Sequence, residues 1–145
     1  MNKGDVSVYE AVQPVKITPF KEWIKHGKDG KYTVKRLKNA STALTMEVIQ
    51  KMKNAGDAYL GKNYDIYFDW SDTKIYCSEL VWKVYKNGAN IEVGKLQKLK
   101  DFDLSNKLVK ETLKERYGNH IPLEETVISP QNIFESSLLV TVEEK

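Results

Sequence analysis

Val6, Val8 and Glu10 alternate with Ser7 and Tyr9, and the apolar run continues to Val12. A period of two predicts a strand over 6–12. Lys3-Gly4-Asp5 before it reads as a turn. The strand therefore resembles the second arm of a hairpin whose first arm is not in the sequence. Thr18-Pro19 has the form of a helix cap and first helical residue. Phe20, Trp23 and Ile24 follow at helical spacing, and Gly27 ends the segment. Gly30 opens a strand over 32–37. Leu44, Val48, Met52, Ala55 and Tyr59 form one stripe and predict a helix over 42–59, stopped by Gly61. The aromatic and acidic stretch 63–71 reads as a structured loop or irregular strand. A second amphipathic helix spans 76–88, with Cys77, Leu80, Val81, Val84 and Tyr85 on one stripe and Asn87 or Gly88 as its left-handed cap. Leu96 and Leu99 suggest a short turn. Asp103 or Ser105 caps a helix ending at Tyr117 and Gly118, Ser129-Pro130 begins a short helix to Phe134, and 138–142 is a strand. No repeat or linker interrupts the pattern. Interspersed strands and helices with short connections predict one α+β domain over 1–145.

Composition narrows the function classes. The 145 residues are 41% apolar and 30% charged, as expected for a globular chain. Lys plus Arg number 23 against 20 Asp plus Glu, a balance of +3. Lys and Glu alternate rather than segregate, so nothing here indicates nucleic-acid binding. No apolar run approaches the ~18 residues of a membrane span. The single cysteine, Cys77, excludes an intrachain disulfide.

The candidate chemistry centres on that cysteine. His26 and His120 are the only histidines, and neither has a ligand partner at zinc-site spacing. Asp65, Asp69 and Asp72 lack the central glycine and closing glutamate of a calcium loop. No phosphate-binding glycine motif is present. No metal or organic cofactor is expected. Cys77 ends a polar turn and begins an amphipathic helix. Unpaired N–H groups and the helix dipole favour a thiolate there, and can stabilise an oxyanion beside it. A buried packing cysteine is the alternative reading. A thiol nucleophile needs an imidazole to take its proton and a third group to orient it. Glu10, a carboxylate within an apolar strand, is the candidate orienter; an outward-facing strand position is its alternative. His26 reads as a cation at a helix end, and His120 as an exposed turn residue. Trp70, Tyr76 and Trp82 either line an apolar cleft or belong to the core.

Several phrases together resemble the YiiX-like family of permuted papain-like, NlpC/P60-related cysteine amidases and peptidases. They are Tyr9-Glu10-Ala11-Val12-Gln13-Pro14-Val15, Tyr64-Asp65, Tyr76-Cys77-Ser78-Glu79, the stretch 98–105, Glu115-Arg116-Tyr117-Gly118 and Ile121-Pro122-Leu123-Glu124-Glu125-Thr126. The resemblance covers essentially the whole chain. It implies a circularly permuted papain-like fold, a small antiparallel sheet packed with helices. Cys77 takes the nucleophile's place and Glu10 that of the carboxylate orienting the histidine. The family's histidine lies on an earlier His-x-Gly strand. Nine residues precede Glu10 here and none is histidine, so the domain is expected to be truncated at its N-terminus and inactive as given. The resemblance implies a cysteine hydrolase of amide bonds, acting through a Cys-His-Glu triad on a peptide, a peptidoglycan fragment or an acyl-lipid. A non-catalytic binding domain and a thiol-dependent lipid acyltransferase or esterase are the alternatives. It also implies a periplasmic or cell-envelope location. A sheet edge left bare by truncation would favour self-association.

Overall fold

A computed structural model describes residues 6–145, so the Lys3-Gly4-Asp5 turn lies outside the described residues. The class is α+β, with small sheets packed against helices. Among the described residues, strand pairing is divided among four two-stranded units rather than gathered into one sheet. β1 (Ser7–Glu10) pairs antiparallel with β2 (Lys16–Pro19), with Glu10 opposite Lys16. Among the described residues β1 is thus the first arm of a hairpin with β2. Its partner is the segment between Pro14 and Pro19, which the proline signals had pointed toward a helix start. Thr18 belongs to β2, and its hydroxyl donates to Glu10 instead of capping α1 (Phe20–Trp23), where Pro19 occupies the cap position. Two 3-10 turns, Ile24–His26 and Lys28–Gly30, lead to β3 (Thr33–Leu37).

The expected helix over 42–59 is broken in two. A single turn, α2 (Ala40–Ala43), ends at Leu44. Thr45 then caps α3 (Met46–Asp57) by accepting from the Val48 N–H at 3.2 Å. A threonine oxygen that satisfies an orphan N–H competes with helix continuation, and here the cap wins. β4 (Asn63–Tyr64) and β5 (Lys74–Ile75) pair in parallel, flanking the aromatic loop. α4 (Cys77–Ala89) crosses α3 closely. Gly88, expected to end α4, lies buried within it, and the left-handed cap falls instead on Asn90 at φ 53°. β6 (Gln97–Lys98) pairs with β7 (Thr126–Val127), and α5 (Lys107–Tyr117) lies between them in sequence. Asn106, rather than Asp103 or Ser105, caps α5. Ser129 and Pro130 begin α6 (Pro130–Phe134) as expected, and β8 (Leu139–Glu144) pairs with β3.

Two apolar clusters hold these pieces together. Ala11, Val15, Tyr59, Ile75 and Leu80 join the hairpin to α3 and α4. Tyr76, Trp82 and Ile128 tie α4 to the segment after β7, with Trp70 packed edge-on against Trp82 at 5.4 Å. Trp82 is therefore a core residue, while Tyr76 is both core and cavity wall. Burial of each such large side chain contributes ~1.5–3 kcal/mol.

The buried face of α4 is only in part the predicted stripe, through Leu80 and Val84. Ser78, Glu79 and Lys83 are buried on it with Leu80 and Trp82, whereas Val81 and Cys77 are exposed. The polar residues are tolerated because each finds a partner. Lys83 Nζ donates to the Ser71 carbonyl at 2.6 Å and to Asp72 Oδ1 at 2.8 Å, and pairs with Glu79 Oε2 at 3.0 Å. Glu79, 0% exposed, also accepts from the Tyr76 N–H.

Burial pushes the Glu79 carboxyl up to about 7, against the opposing pull of Lys83. In the unfolded chain it ionises near its ordinary 4.5. Between these values the folded state holds a proton that the unfolded state has lost, so this group's stabilisation falls as pH rises from about 4.5 to about 7. Asp72 acts oppositely: its bonds from Lys83 and Tyr59 hold it below its ordinary value, so its contribution is lost in acid. Urea unfolding is expected to show greater stability at pH 5 than at pH 8, by on the order of 3 kcal/mol from Glu79 alone. Glu79→Gln should flatten that slope. An unchanged slope in the variant would refute the assignment.

Candidate active site

The site is built at the start of α4. β5 delivers the chain to Tyr76, the residue before the helix, and Cys77 is its first residue. Two bonds fix this corner to the backbone of one residue, Ile128. The Ser78 hydroxyl donates to the Ile128 carbonyl at 2.7 Å, and the Ile128 N–H donates to the Tyr76 hydroxyl at 3.2 Å. Such anchoring holds the sulfur in one place. The first-turn N–H groups beside it lack intrahelical partners by helix geometry, and so are available to an oxyanion.

The Cys77 thiol is exposed, which rules out the buried packing cysteine. The Tyr64 hydroxyl, from β4, stands near enough to interact with that thiol electrostatically. Burial, then the neighbouring Cys77, raises the Tyr64 phenol above its ordinary value, so it stays protonated. A cavity of about 520 Å³ opens beside the sulfur. One side is formed by Tyr64, Phe68 and Tyr76, and the other by residues of 99–117 and 125–130. Phe68 sits at φ 56°, a region that disfavours bulky side chains and costs about 1–3 kcal/mol. Its ring is held edge-on to Tyr76 at 5.1 Å and beneath the Arg116 guanidinium at 4.8 Å.

Glu10 is 8% exposed, so it does not face solvent. Thr18 Oγ1 donates to its Oε1 at 2.5 Å, Lys16 Nζ lies 3.8 Å from the same oxygen, and His26 Nδ1 stands 3.6 Å from Oε2. The carboxylate thus meets an imidazole, but from the residue that the sequence pattern had assigned to a helix end as a cation. The walls of the Cys77 cavity include neither Glu10 nor His26. His120 is exposed, as expected of its turn.

The pattern of the family described as "Permuted papain-like amidase enzyme, YaeF/YiiX, C92 family" matches residues 1–143. The chain belongs to this permuted papain-like amidase family. It is 55% identical over 135 residues to the uncharacterized protein YiiX of Escherichia coli (strain K12), covering 93% of this chain and 65% of that protein. It therefore spans somewhat under two thirds of that relative's length. It also superposes on the crystal structure of metalloprotein yiiX from Escherichia coli O157:H7 with a TM-score of 0.89 and 55% identity, over 96% of this chain and 76% of that one.

Against the family's expected site, sequence reasoning had identified Cys77 and Glu10 but missed Phe68 and Arg116. Both line the cavity. Arg116 carries a legible signal: Val109, Leu113, Arg116 and Tyr117 share one face of α5 at helical spacing, and all four line the cavity.

Proposed function

We propose that the protein is a thiol amidase in which Cys77 attacks an amide carbonyl and Glu10 orients the imidazole that takes the thiol proton. The single observation that carries this reading is the exposed Cys77 at the first position of α4, on the wall of a cavity it shares with the Tyr64 phenol. Membership of the amidase family supports it. The imidazole is supplied, in this reading, by the family's His-x-Gly strand at the edge of β1 away from β2; among the described residues no strand covers that edge. The thiol proton passes to the imidazole and then to the leaving amine, leaving a thioester on Cys77. Water then releases the acid. First-turn N–H groups bind the oxyanion at both stages.

The E. coli relative is described as a metalloprotein. Among the described residues of this chain, no group of three or more His, Cys, Asp or Glu side chains is placed to hold a metal ion. The donor set of the described residues does not fit one.

One observation favours a second reading, a binding domain without catalysis: neither His26 nor His120 lines the cavity. Acylation by p-nitrophenyl butanoate separates the two. The full protein is expected to gain one butanoyl group, mapped by mass spectrometry to Cys77, ~10²-fold faster than N-acetylcysteine reacts. A rate equal to that of the free thiol would leave the binding domain as the better account.

A further inference from the structure

A carboxylate that orients an imidazole must itself be held. The plane of a glutamate carboxylate turns about a terminal torsion that has broad wells rather than sharp ones. The two oxygens of the buried Glu10 stand in unequal surroundings. Oε1 accepts the Thr18 hydroxyl at 2.5 Å, and Lys16 Nζ lies 3.8 Å from the same oxygen. Oε2 accepts no hydrogen bond among the described residues. His26 Nδ1, at 3.6 Å from Oε2, is beyond hydrogen-bond distance, and its side chain is 56% exposed. One oxygen of the pair is therefore pinned and the other is left to give.

Thr18 is placed to aim its hydroxyl at one spot. The register sets it opposite Val8, a diagonal step from Glu10 on the same face of the hairpin. Pro19 follows it, and a residue before proline is confined to the extended region. Its branched Cβ restricts χ1. Thr18 is only 6% exposed, so bulk water does not compete for the hydroxyl. An O–H···O⁻ bond of this length is charge-assisted and roughly twice as strong as a neutral one. Valine would fill the same volume and suit the strand, but would leave Oε1 with Lys16 alone.

We propose that Thr18 is a positioning residue: its hydroxyl pins Oε1 of Glu10, so that Oε2 is the oxygen presented to the N–H of the catalytic imidazole. The inference rests on the amidase reading. The Thr18 proton stays on its own oxygen throughout. The imidazole keeps its N–H on Oε2 while its other nitrogen takes the thiol proton. Thr18 touches no substrate, since it does not line the cavity beside Cys77.

Acylation of Cys77 by p-nitrophenyl butanoate in the full protein tests this, with the maximal rate and the half-saturating ester concentration measured separately. Thr18→Val is expected to lower the maximal rate about tenfold and to leave half-saturation unchanged within about twofold. Thr18→Ala, the smaller replacement, should show the same loss. Thr18→Ser keeps the hydroxyl and should return the rate to within about threefold of the parent. Glu10→Gln should cost more than Thr18→Val does. Adding Thr18→Val to Glu10→Gln should then cost less than about twofold further, because the group it positions is gone. A threonine of structural importance alone would lower the melting temperature without changing the rate of the folded protein, and that result would overturn the proposal. Equal losses in Thr18→Val and Thr18→Ser would do so too, as would a double variant whose loss is the product of the two single losses. If Glu10→Gln acylates as fast as the parent, Glu10 orients nothing and the inference falls with it. A parent protein in which Cys77 is never acylated would instead sink the amidase reading beneath.

Discussion

Cys77→Ala is expected to fold normally and to hydrolyse amides at least ~10⁴-fold more slowly than the parent. The two halves of this result have separate causes. Cys77 is exposed at the first position of α4, so removing its sulfur opens no cavity in the core. The corner is held by Ser78 and Tyr76 on Ile128, and neither bond involves the sulfur. Thermal unfolding should therefore match the parent within about 2 °C. Catalysis behaves differently in the proposed mechanism, because every covalent step there forms or breaks a bond to that atom. Turnover of an amide substrate by the full protein, followed by release of the amine, measures the loss. Retention of a tenth or more of the activity would assign the chemistry to another group.

Gly88→Ala is expected to do the reverse, lowering stability by about 3 kcal/mol while leaving the sulfur's surroundings intact in whatever fraction stays folded. Alanine in place of glycine at an exposed helix position stabilises by ~1 kcal/mol. Here the sign inverts. A Cβ on Gly88 would stand 2.4 Å from Met52 Cα and 2.6 Å from Met52 N, both backbone atoms of α3. Backbone cannot swing aside as a side chain does, so the two helices must separate. The melting temperature should fall by roughly 10 °C. A variant as stable as the parent would show that α3 and α4 do not meet at this point.

The two outcomes also mark what could be read from the residues alone. The start of α4 was legible because a polar turn running into an amphipathic stretch is a local signal, complete within 71–82. The burial of Glu79 and Lys83 was not, because their tolerance depends on Ser71 and Asp72, which only the folded loop brings to them. Gly88 carried two meanings in the sequence, helix end or close approach, and only the path of α3 decides between them. Thr18-Pro19 misled for a similar reason: a threonine oxygen that caps a helix in one setting serves a buried carboxylate in another. The α-helical face of Arg116 was visible in principle. Its relation to Cys77 was not, since the two are brought together through Tyr64 from a third part of the chain.

α5 contains no buried residue, yet it forms one side of the cavity, while α4 and Ile128 fix the sulfur. On the proposed reading, reactivity and selectivity are therefore housed in separable parts of the molecule. Exchanging 99–117 for a different stretch would change which molecules are admitted and leave the attacking atom where it is. A fold arranged in this way lets diet diversify while the cutting edge stays the same.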